Sequence, residues 1–426
     1  MGPYLMRHDA ATDEPLGING LGRIGKLTVW HHVARRYFPR LVVNLGREVG
    51  RNLEAVCTAI EKDSTYGSMH RFLFGVNADP CVRIVDREER LLEVAGIPVK
   101  LLQTARNPSD IGWRRHGVRI VVDATGAFND PTRPMDDPRG SLRGHLGAGA
   151  ERVLHSAAFK LEDKSLSLPE DATTLIYGCN HEQFDPARHR IISAASCTTT
   201  ALAHMVKPLL DQLHGSAIMT ASMSTVHAAT NTQSVLDSVP AAGARDLRRT
   251  RSVLGSIILT TSNAADALEQ VIPEIREIGF MADSVRIPIP TESLIILNVT
   301  FQSRIGPDGR SSVDKQVINR IYREAASGGQ KGLLVYSEEQ NVPADVSGMR
   351  AAVVIEAVET HTRTGFAEVD LAQVPGVDAR SLTGPSRSVI RVPVTHAKVF
   401  GWYDNEYGSY TNLLGDLTVH IHGASD

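Results

Sequence analysis

Short apolar runs alternate with helical patterns through the first half of the chain. An apolar segment leads into a glycine-rich turn near residue 20, and an amphipathic helical pattern with apolar positions as far as Ala34 follows that turn. Further buried strands are predicted at 41–44, 118–123, 153–156 and 174–178. This alternation predicts an α/β domain with the doubly wound, Rossmann-type arrangement, which ends near Cys197.

The second half of the chain has longer apolar and alternating runs with few helical segments. They include the stretch MTASMSTVH, the strand-like run at 294–302, and the stretches AAVVIEAVE and SVIRVPV. Long strands with few helices indicate a mostly antiparallel sheet. The apolar spacing over 407–421 predicts a terminal helix.

Three segments are predicted to lie outside these elements. Residues 1–15 are predicted to form a loose tail, and 372–388 are predicted to form a loop. Residues 129–144 are rich in Pro, Asp, Arg and Gly, which is typical of a surface insertion.

Composition and charge narrow the setting of this chain. With 426 residues, of which 42% are hydrophobic and 22% charged, it has the material for two cores. A net charge of −3 argues against nucleic acid or an acidic membrane as a partner. The four cysteines form no CxxC pair, no run is long enough to span a membrane, and the first residues lack a signal peptide's apolar segment. We therefore expect a cytoplasmic protein, and we expect no metal.

The glycine-rich turn is a candidate dinucleotide site. Glycines spaced G-x-G-x-x-G allow a tight turn, close approach of the backbone to a pyrophosphate, and close packing of helix on strand. The pyrophosphate would rest on the helix N-terminus. A second small turn follows the strand at 118–123, where ligands meet an open parallel sheet. The candidate cofactor-binding residues of these two turns are Gly20, Gly22, Arg23, Ile24, Gly25, Thr125 and Gly126.

No acid directly follows the strand at 41–44, where a carboxylate would hold the ribose hydroxyls of adenosine. Leu45, Gly46 and Arg47 come first, and Glu48 is the nearest acid. Arg47 has two interpretations: contact with a 2′-phosphate, or a solvated loop charge. The expected cofactor is therefore NAD or NADP, with the choice left open.

Cys197 is the best candidate nucleophile in the chain. Two apolar residues and a small, hydroxyl-rich stretch lead into it, and the apolar spacing after it predicts a helix that begins at or just after Cys197. A thiol at a helix N-terminus lies at the positive end of the helix dipole, which favours the attacking thiolate. On this stretch alone, a buried structural cysteine is an equal alternative.

Seven motifs then identify a resemblance to a known family. They occur in the order and roughly the spacing of the phosphorylating glyceraldehyde-3-phosphate dehydrogenases, and they are LGINGLGRIGK, EKDSTYG, VVDATGAF, SAASCTTT, STVHAATN, SVRIPIP and GWYDNEYG. The resemblance covers most of the chain from Leu16 to Ile421. This chain is longer than the usual member, with the excess near 129–144 and 358–398.

The resemblance implies a domain organisation and a mechanism. The terminal helix would complete the first domain, so the NAD(P)-binding domain would comprise 16–196 plus about 406–426, and the catalytic domain 197–405. Cys197 would attack an aldehyde to form a thiohemiacetal, and His227 would act as the base. Among sixteen histidines, only the motif around His227 distinguishes it. Asn405 would contact the nicotinamide amide.

The resemblance also implies two anion-binding subsites. The residues that would bind the substrate phosphate are Thr230 and Arg286, and Thr232 stands where the family usually has aspartate. The second site, for the attacking phosphate, would include Ser196, Thr198, Ser262, Asn263 and either Arg249 or Arg251. The arginines around 245–252 have the alternative interpretation of a solvated loop. Arginine suits such roles because its planar fork pairs with two phosphate oxygens.

The leading hypothesis is oxidation of glyceraldehyde 3-phosphate to 1,3-bisphosphoglycerate through a Cys197 thioester, with NAD or NADP. One alternative is another phosphorylated aldehyde, such as erythrose 4-phosphate, with water as the attacking group. The altered Thr232, Ser262 and Asn263 leave room for it. A second alternative is a nucleotide-binding homologue with little activity, against which the intact Cys197 and His227 argue. Family analogy implies a homotetramer.

Overall fold

The structure of this chain is a computed structural model that describes residues 12–103, 105–213, 218–244, 246–376 and 389–425. Most of the predicted tail, most of the loop predicted at 372–388, and Arg245 of the basic cluster therefore lie outside the described residues. The chain divides into two compact units. The first contains the residues up to Thr200 together with Ser347–Ala352 and the segment from Asp404 onward, and the second contains Ala201–Val346 and Val353–Tyr403.

A nine-stranded sheet forms the centre of the first unit. The strands of this unit, in chain order, are β1 (Leu16–Asn19), β2 (Leu41–Asn44), β3 (Lys62–Asp63), β4 (Gly67–Ser68), β5 (Val82–Asp86), β6 (Leu91–Val94), β7 (Ile97–Leu102), β8 (Ile120–Asp123), β9 (Arg152–His155), β10 (Ala172–Thr174) and β11 (Ile191–Ser193). The sheet order is β10-β11-β9-β8-β1-β2-β7-β6-β5, and β3 pairs with β4 apart from it.

The strands from β10 to β7 in this order are all parallel to their neighbours, whereas β5, β6 and β7 form an antiparallel meander. All residues of β1, β2 and β8 are buried, which explains their nearly continuous apolar sequences. The helices that follow these strands are α1 (Arg23–Arg35), α2 (Leu53–Glu61), α3 (Met69–Phe74) and α4 (Leu142–Gly147). Helix α5 (Cys197–Leu213) begins in the first unit, and its residues from Ala201 belong to the second.

The second unit is organised around an eight-stranded sheet. Its strands are β12 (Ile218–Ala228), β13 (Ile258–Thr261), β14 (Phe280–Ile287), β15 (Ser293–Gln302), β16 (Leu334–Ser337), β17 (Val353–Glu356), β18 (His361–Asp370) and β19 (Val389–Tyr403). Its helices are α6 (Ala264–Val271), α7 (Lys315–Ser327) and α8 (Pro343–Val346). The order is β13-β14-β12-β15-β19-β17-β16, with β18 paired to β19.

Antiparallel pairing dominates this second sheet. Only β12–β14 and β16–β17 are parallel among the pairs of its described strands. Together with the largely parallel sheet of the first unit, this confirms the predicted fold class. The extra segment near 358–398 is partly strand, as predicted, because β18 and the first half of β19 form a ladder there.

The terminal helix predicted over 407–421 is present. A π-helical turn at Tyr407–Thr411 leads into α9 (Asn412–Gly423). Within the first unit α9 lies against α1, where Nδ1 of His31 and the side-chain oxygen of Asn412 are 2.8 Å apart and Arg35 pairs with Asp416. The amphipathic pattern predicted for α1 was therefore wrong, since both His31 and His32 are buried along with its apolar residues.

Two further predictions needed correction. The strand predicted at 174–178 is β10, which ends at Thr174, and the chain after it forms turns. The segment 129–144 was predicted to be a surface insertion, but it contains part of α4, in which Leu142 and His145 are buried. Its polar composition reflects ordered turns, because Asp130 and Asp137 accept hydrogen bonds from the backbone N–H groups of Thr132 and Arg139.

Across the described ranges, none of the helices has the length and apolar character needed to span a membrane.

Candidate active site

The glycine-rich turn between β1 and α1 has the geometry of a dinucleotide cradle. Gly20 has a φ of +96°, which L side chains rarely adopt. A Cβ atom added to Gly25 would lie 2.0 Å from the carbonyl oxygen of Gly20, whereas one added to Gly22 would meet nothing within 4 Å. Helix α1 begins at Arg23, so the backbone N–H groups of Arg23 and Ile24 belong to the first turn, whose N–H groups find no acceptor within a helix. These residues fit a bound pyrophosphate.

Charged side chains join this turn to two of the other sequence motifs. The Arg23 guanidinium pairs with the carboxylates of Asp63 and Glu406. The Tyr66 hydroxyl donates a hydrogen bond of 2.7 Å to Asp404 and accepts one of 3.1 Å from the backbone N–H of Tyr407. Arg23 therefore contributes its side chain to the frame of the site.

Asn405 lies in the turn that follows β19, and it is 6% exposed. Its neighbour Asp404 holds this turn, because one carboxylate oxygen accepts hydrogen bonds of 2.9 Å from the N–H groups of both Gly348 and Gly408. Asp404 was not among the residues predicted from the sequence. Its clustered backbone partners explain how the position of Asn405 is determined.

The second predicted turn, after β8, is built on a buried carboxylate. Oδ1 of Asp123 accepts a hydrogen bond of 2.7 Å from the hydroxyl of Thr125, and Oδ2 accepts one of 2.8 Å from the amide of Asn19. Gly126 has a φ of +66° with open space where a Cβ atom would lie. Thr125 is therefore oriented by the strand end, and Gly126 leaves room beside it.

A histidine from α4 completes the surroundings of Asp123. Trp113 Nε1 donates a 2.9 Å hydrogen bond to His145 Nδ1, which places the His145 proton on Nε2, 3.0 Å from Asp123. Burial alone would raise the pKa of Asp123, but its hydrogen bonds with His145 and His155 hold that pKa well below its usual range. The sequence showed no signal for this network, because its members come from four separate elements.

A cavity of about 540 Å³ opens beside these turns at the carboxyl ends of β1, β2 and β8. Arg47 and Thr125, both predicted from the sequence, line it together with Gly20. Two arginines that were not predicted, Arg106 and Arg139, also line it. Such a cleft at the carboxyl edge of a parallel sheet is where open α/β folds bind nucleotides.

Cys197 is the first residue of α5, as the sequence predicted. The Ser196 hydroxyl accepts a hydrogen bond of 3.2 Å from the backbone N–H of Thr199 and lies 2.8 Å from the Thr199 hydroxyl, so Ser196 caps the helix. Thr198 is buried, whereas Cys197 is only half-buried. The thiol therefore lies at the positive end of the helix dipole and is accessible to small molecules.

The turn before Cys197 is conformationally strained. Ala195 has a φ of +55° although it carries a Cβ atom, and strain of this kind is often found at functional sites. Its carbonyl accepts a hydrogen bond of 3.1 Å from the buried hydroxyl of Tyr410. Burial, with an added contribution from the charge of Cys197, raises the pKa of Tyr410 well above its usual value. Tyr410 therefore acts as a neutral donor that supports the turn.

His227 belongs to the second unit, where strand register places it beside Arg286. The parallel ladder of β12 and β14 pairs these two residues directly, and the Arg286 guanidinium contacts Nδ1 of His227. The Ala228 carbonyl lies 2.8 Å from the same nitrogen, so Nδ1 faces both an acceptor and a guanidinium that can only donate, and the two contacts favour opposite tautomers. Burial and the charge of Arg286 lower the pKa of His227 to about 3.

Thr230 follows β12 in a closed group of polar side chains. Its hydroxyl lies 2.9 Å from that of Thr232 and donates a hydrogen bond of 3.0 Å to Gln233, whose amide donates to Thr232. Thr232 thus offers a hydroxyl in this group and carries no charge.

The other predicted anion-binding residues lie around the start of α6 and in an exposed loop. The Ser262 hydroxyl accepts a hydrogen bond of 3.2 Å from the N–H of Ala264, and Asn263 is exposed at the helix start. In the loop, Arg251 pairs with Asp237 at 3.1 Å, with both side chains largely exposed, and Arg249 is also exposed. The described contacts of Arg251 support the solvated-loop interpretation for that residue.

Comparison with known proteins places this geometry in a family. The family model described as glyceraldehyde 3-phosphate dehydrogenase, NAD binding domain, matches residues 15–131, and the model of the C-terminal domain of the same enzyme matches 196–373. The glyceraldehyde-3-phosphate dehydrogenase of Streptomyces coelicolor is 34% identical over 407 residues, which cover 95% of this chain and 98% of the relative. The chain belongs to the glyceraldehyde-3-phosphate dehydrogenase family.

Other relatives support the same family assignment. Glyceraldehyde-3-phosphate dehydrogenase 2 of Bacillus subtilis is 32% identical over 406 residues, covering 95% of this chain and 96% of the relative. The enzyme of Geobacillus stearothermophilus is 31% identical over 412 residues, covering 95% and 97%. The family resemblance seen in the motifs is confirmed, and the chain is an oxidoreductase of a family that binds a nicotinamide dinucleotide through its first domain.

Proposed function

We propose that this family member oxidises glyceraldehyde 3-phosphate to 1,3-bisphosphoglycerate, with inorganic phosphate as the acyl acceptor and a nicotinamide dinucleotide as the oxidant. The observation that carries the proposal is the half-buried thiol of Cys197 at the first position of α5, capped by Ser196. A purely structural cysteine would not need the strained Ala195 turn that precedes it.

In this proposal, Cys197 and His227 share the covalent chemistry. The Cys197 sulfur adds to the aldehyde carbon, and the resulting hydroxyl of the thiohemiacetal loses its proton to the imidazole of His227. A nicotinamide ring, when bound, supplies the acceptor for the hydride that leaves the same carbon. Burial and the charge of Arg286 lower the pKa of His227, so its imidazole is neutral at physiological pH and can accept a proton.

The thioester that remains on Cys197 requires an attacking group. A phosphate oxygen adds to the carbonyl carbon, and the Cys197 thiolate leaves, which releases the acyl phosphate. We assign Arg286 and Thr230 to the phosphate of the substrate, and Ser196, Thr198, Ser262 and Asn263 to the attacking phosphate, with Arg249 in preference to Arg251. The N-terminus of α6, next to Ser262, favours an anion through its helix dipole.

A second candidate function is the oxidation of another phosphorylated aldehyde with water as the attacking group. It is favoured by the neutral, hydrogen-bonded Thr232 beside Thr230 and by the exposed Asn263 at the start of α6, which alter the surroundings of both phosphates. The binding-protein alternative is disfavoured because a pure binder needs neither Cys197 nor His227.

We also propose that residues 16–196 plus about 406–426 form the NAD(P)-binding domain, that residues 197–405 form the catalytic domain, and that the protein is a cytoplasmic homotetramer. The apolar side chains exposed on the second unit support self-association, since Val239 is 91% exposed, Met281 71% and Leu259 55%.

Initial rates test the proposed reaction. We would follow reduction of NAD and of NADP by glyceraldehyde 3-phosphate, with and without inorganic phosphate, for the native protein and for Cys197→Ala. Turnover that requires phosphate and is lost in the variant is expected. Turnover indifferent to phosphate would favour the hydrolytic candidate, and a native protein that reduces neither cofactor would contradict the proposed substrate.

A further inference from the structure

The residue that ends β2 is committed to the fold. Asn44 is 1% exposed, and its amide donates hydrogen bonds of 2.8 Å to the side chain of Asn19 and 3.0 Å to the carbonyl of Ala105. Its side-chain oxygen accepts from the backbone N–H of Gly46. Asn44 therefore has no polar group left over for a ribose, and the next residue, Leu45, presents an apolar side chain to the cavity.

Three arginines line the same cavity, and each comes from a different loop. Arg47 follows β2, Arg106 follows β7, and Arg139 precedes α4. Among the described residues that line the cavity, none is Asp or Glu. The lining therefore carries a formal charge of +3, on side chains that stay protonated at any physiological pH.

Buried amides hold the three loops together. Asn44 binds the carbonyl of Ala105, and the backbone of Gly46 packs against Arg106, since a Cβ atom added to Gly46 would lie 3.6 Å from the Arg106 Cα atom. Asn107 then donates a hydrogen bond of 3.1 Å to the carbonyl of Asp137, two residues before Arg139. Backbone contacts thus join the loops that carry the three arginines, and the Arg139 guanidinium also lies 3.5 Å from the Asp137 carboxylate.

We propose that this cavity binds the 2′-phosphate of an adenosine ribose, so that the dinucleotide this chain prefers is NADP. A dianion is the ligand that three arginines lining one cavity fit, because each guanidinium can pair with two phosphate oxygens. A ribose diol, by contrast, is held best by a carboxylate, and Leu45 stands where that carboxylate would lie. In this proposal the segment 129–144 contributes to cofactor binding, since it supplies Arg139. The proposal rests on the dinucleotide-binding function of the first domain, and it does not depend on the aldehyde substrate.

Calorimetric titration of the protein with NADP and with NAD, in the absence of aldehyde, is the direct test. The Cys197→Ala variant serves as the parent protein, so the result is independent of turnover. We expect NADP to bind at least about 10-fold tighter than NAD, in line with a charge-assisted hydrogen bond. In the same titration, 2′,5′-ADP should compete with NADP, and 5′-ADP should compete far less. NAD binding as tight as NADP would overturn the proposal.

Substitutions of residues that line the cavity would show where the 2′-phosphate of NADP binds. Arg106→Ala and Arg139→Ala should each weaken NADP about 10-fold and change NAD by less than about twofold. Leu45→Asp should weaken NADP and strengthen NAD, because a carboxylate repels the phosphate and accepts from the ribose hydroxyls. The exposed Arg71, on α3, provides the matched control, and Arg71→Ala should change neither affinity.

Other outcomes are equally decisive. Equal losses of NAD and NADP in the arginine variants would mean that these side chains contact the part common to both dinucleotides, and would contradict the proposal. Binding of neither dinucleotide would contradict both this inference and the family's cofactor function. Tight NAD binding with normal turnover would overturn only the inference and leave the proposed reaction standing.

Discussion

The glycine-rich turn of the first unit and the His227 cluster of the second unit reach their geometry by different routes. In the turn, the backbone conformation of Gly20 and the contact between Gly25 and Gly20 leave no room for side chains. In the cluster, side chains meet because the parallel register of β12 and β14 places His227 opposite Arg286. A motif can therefore be predicted from the sequence when its geometry is local. A cluster built by strand pairing depends on the whole sheet.

The strongest way to break the His227 cluster is to remove the proposed base. His227→Asn keeps a polar side chain beside the Ala228 carbonyl but lacks the imidazole base, so kcat should fall about 10²–10⁴-fold, the usual contribution of general base catalysis. Steady-state kinetics at saturating substrate would measure this. A kcat within about threefold of the native value, with folding intact by circular dichroism, would rule out the proposed role.

A substitution in the glycine-rich turn should lower the stability of the fold. In Gly25→Ala the new Cβ atom would lie 2.0 Å from the Gly20 carbonyl oxygen, so the free energy of unfolding should fall by about 1–3 kcal/mol. Thermal and urea unfolding would measure it. Gly22→Ala is the matched control: its φ of −71° suits alanine and its Cβ atom meets nothing, so stability should stay within about 0.5 kcal/mol while dinucleotide affinity drops. Equal stability losses in both variants would refute the argument.

Replacing Arg286 should change two properties of the His227 cluster, the KM for the substrate and the pKa of His227. Loss of a charged hydrogen bond to the substrate phosphate in Arg286→Ala should raise KM about 10–100-fold. Removing its charge should also raise the pKa of His227, so the acidic limb of the kcat profile should move to higher pH. Kinetics from pH 3 to 9 would test both effects, because the native limb is expected near pH 3, and an unmoved limb in Arg286→Ala would show that Arg286 does not influence the base.

A pH dependence of stability, to which both units contribute, is also expected. Burial, helped by Arg35, lowers the pKa of His31 to about 4, and burial with Arg286 lowers that of His227 to about 3. Because the unfolded chain binds protons on these groups near pH 6.5 and the folded chain does not, stability should be full above about pH 7 and should decline as the pH falls.

The expected slope approaches about 1.4 kcal/mol per pH unit for each buried histidine that stays neutral. Urea unfolding between pH 8 and 5 would measure it. His32→Leu should reduce the slope, because the fully buried His32 also has a pKa held well below its usual value by burial. A stability that rises toward pH 5 would contradict this assignment.

Features with local geometry could be predicted from the sequence, whereas features that depend on distant segments could not. The strands of the first sheet, the α5 start at Cys197 and the glycine turn were predictable because each depends on neighbouring residues. The burial of His31 was not, since the helix that contacts it comes from the last residues of the chain. Arg106 and Arg139 escaped prediction because Asn44 and Asn107 join their loops across sequence gaps that leave no local pattern.

In the proposed reaction, Cys197 carries the acyl group as a thioester. Trapping this acyl-enzyme would show directly which cysteine is modified. We would mix the protein with glyceraldehyde 3-phosphate and oxidised dinucleotide without phosphate, quench in acid, and map the modified cysteine by mass spectrometry. We expect a thioester on Cys197 alone, which disappears when phosphate is added before the quench. An adduct on Cys57, Cys81 or Cys179, or dinucleotide reduction without any acyl-cysteine, would contradict it.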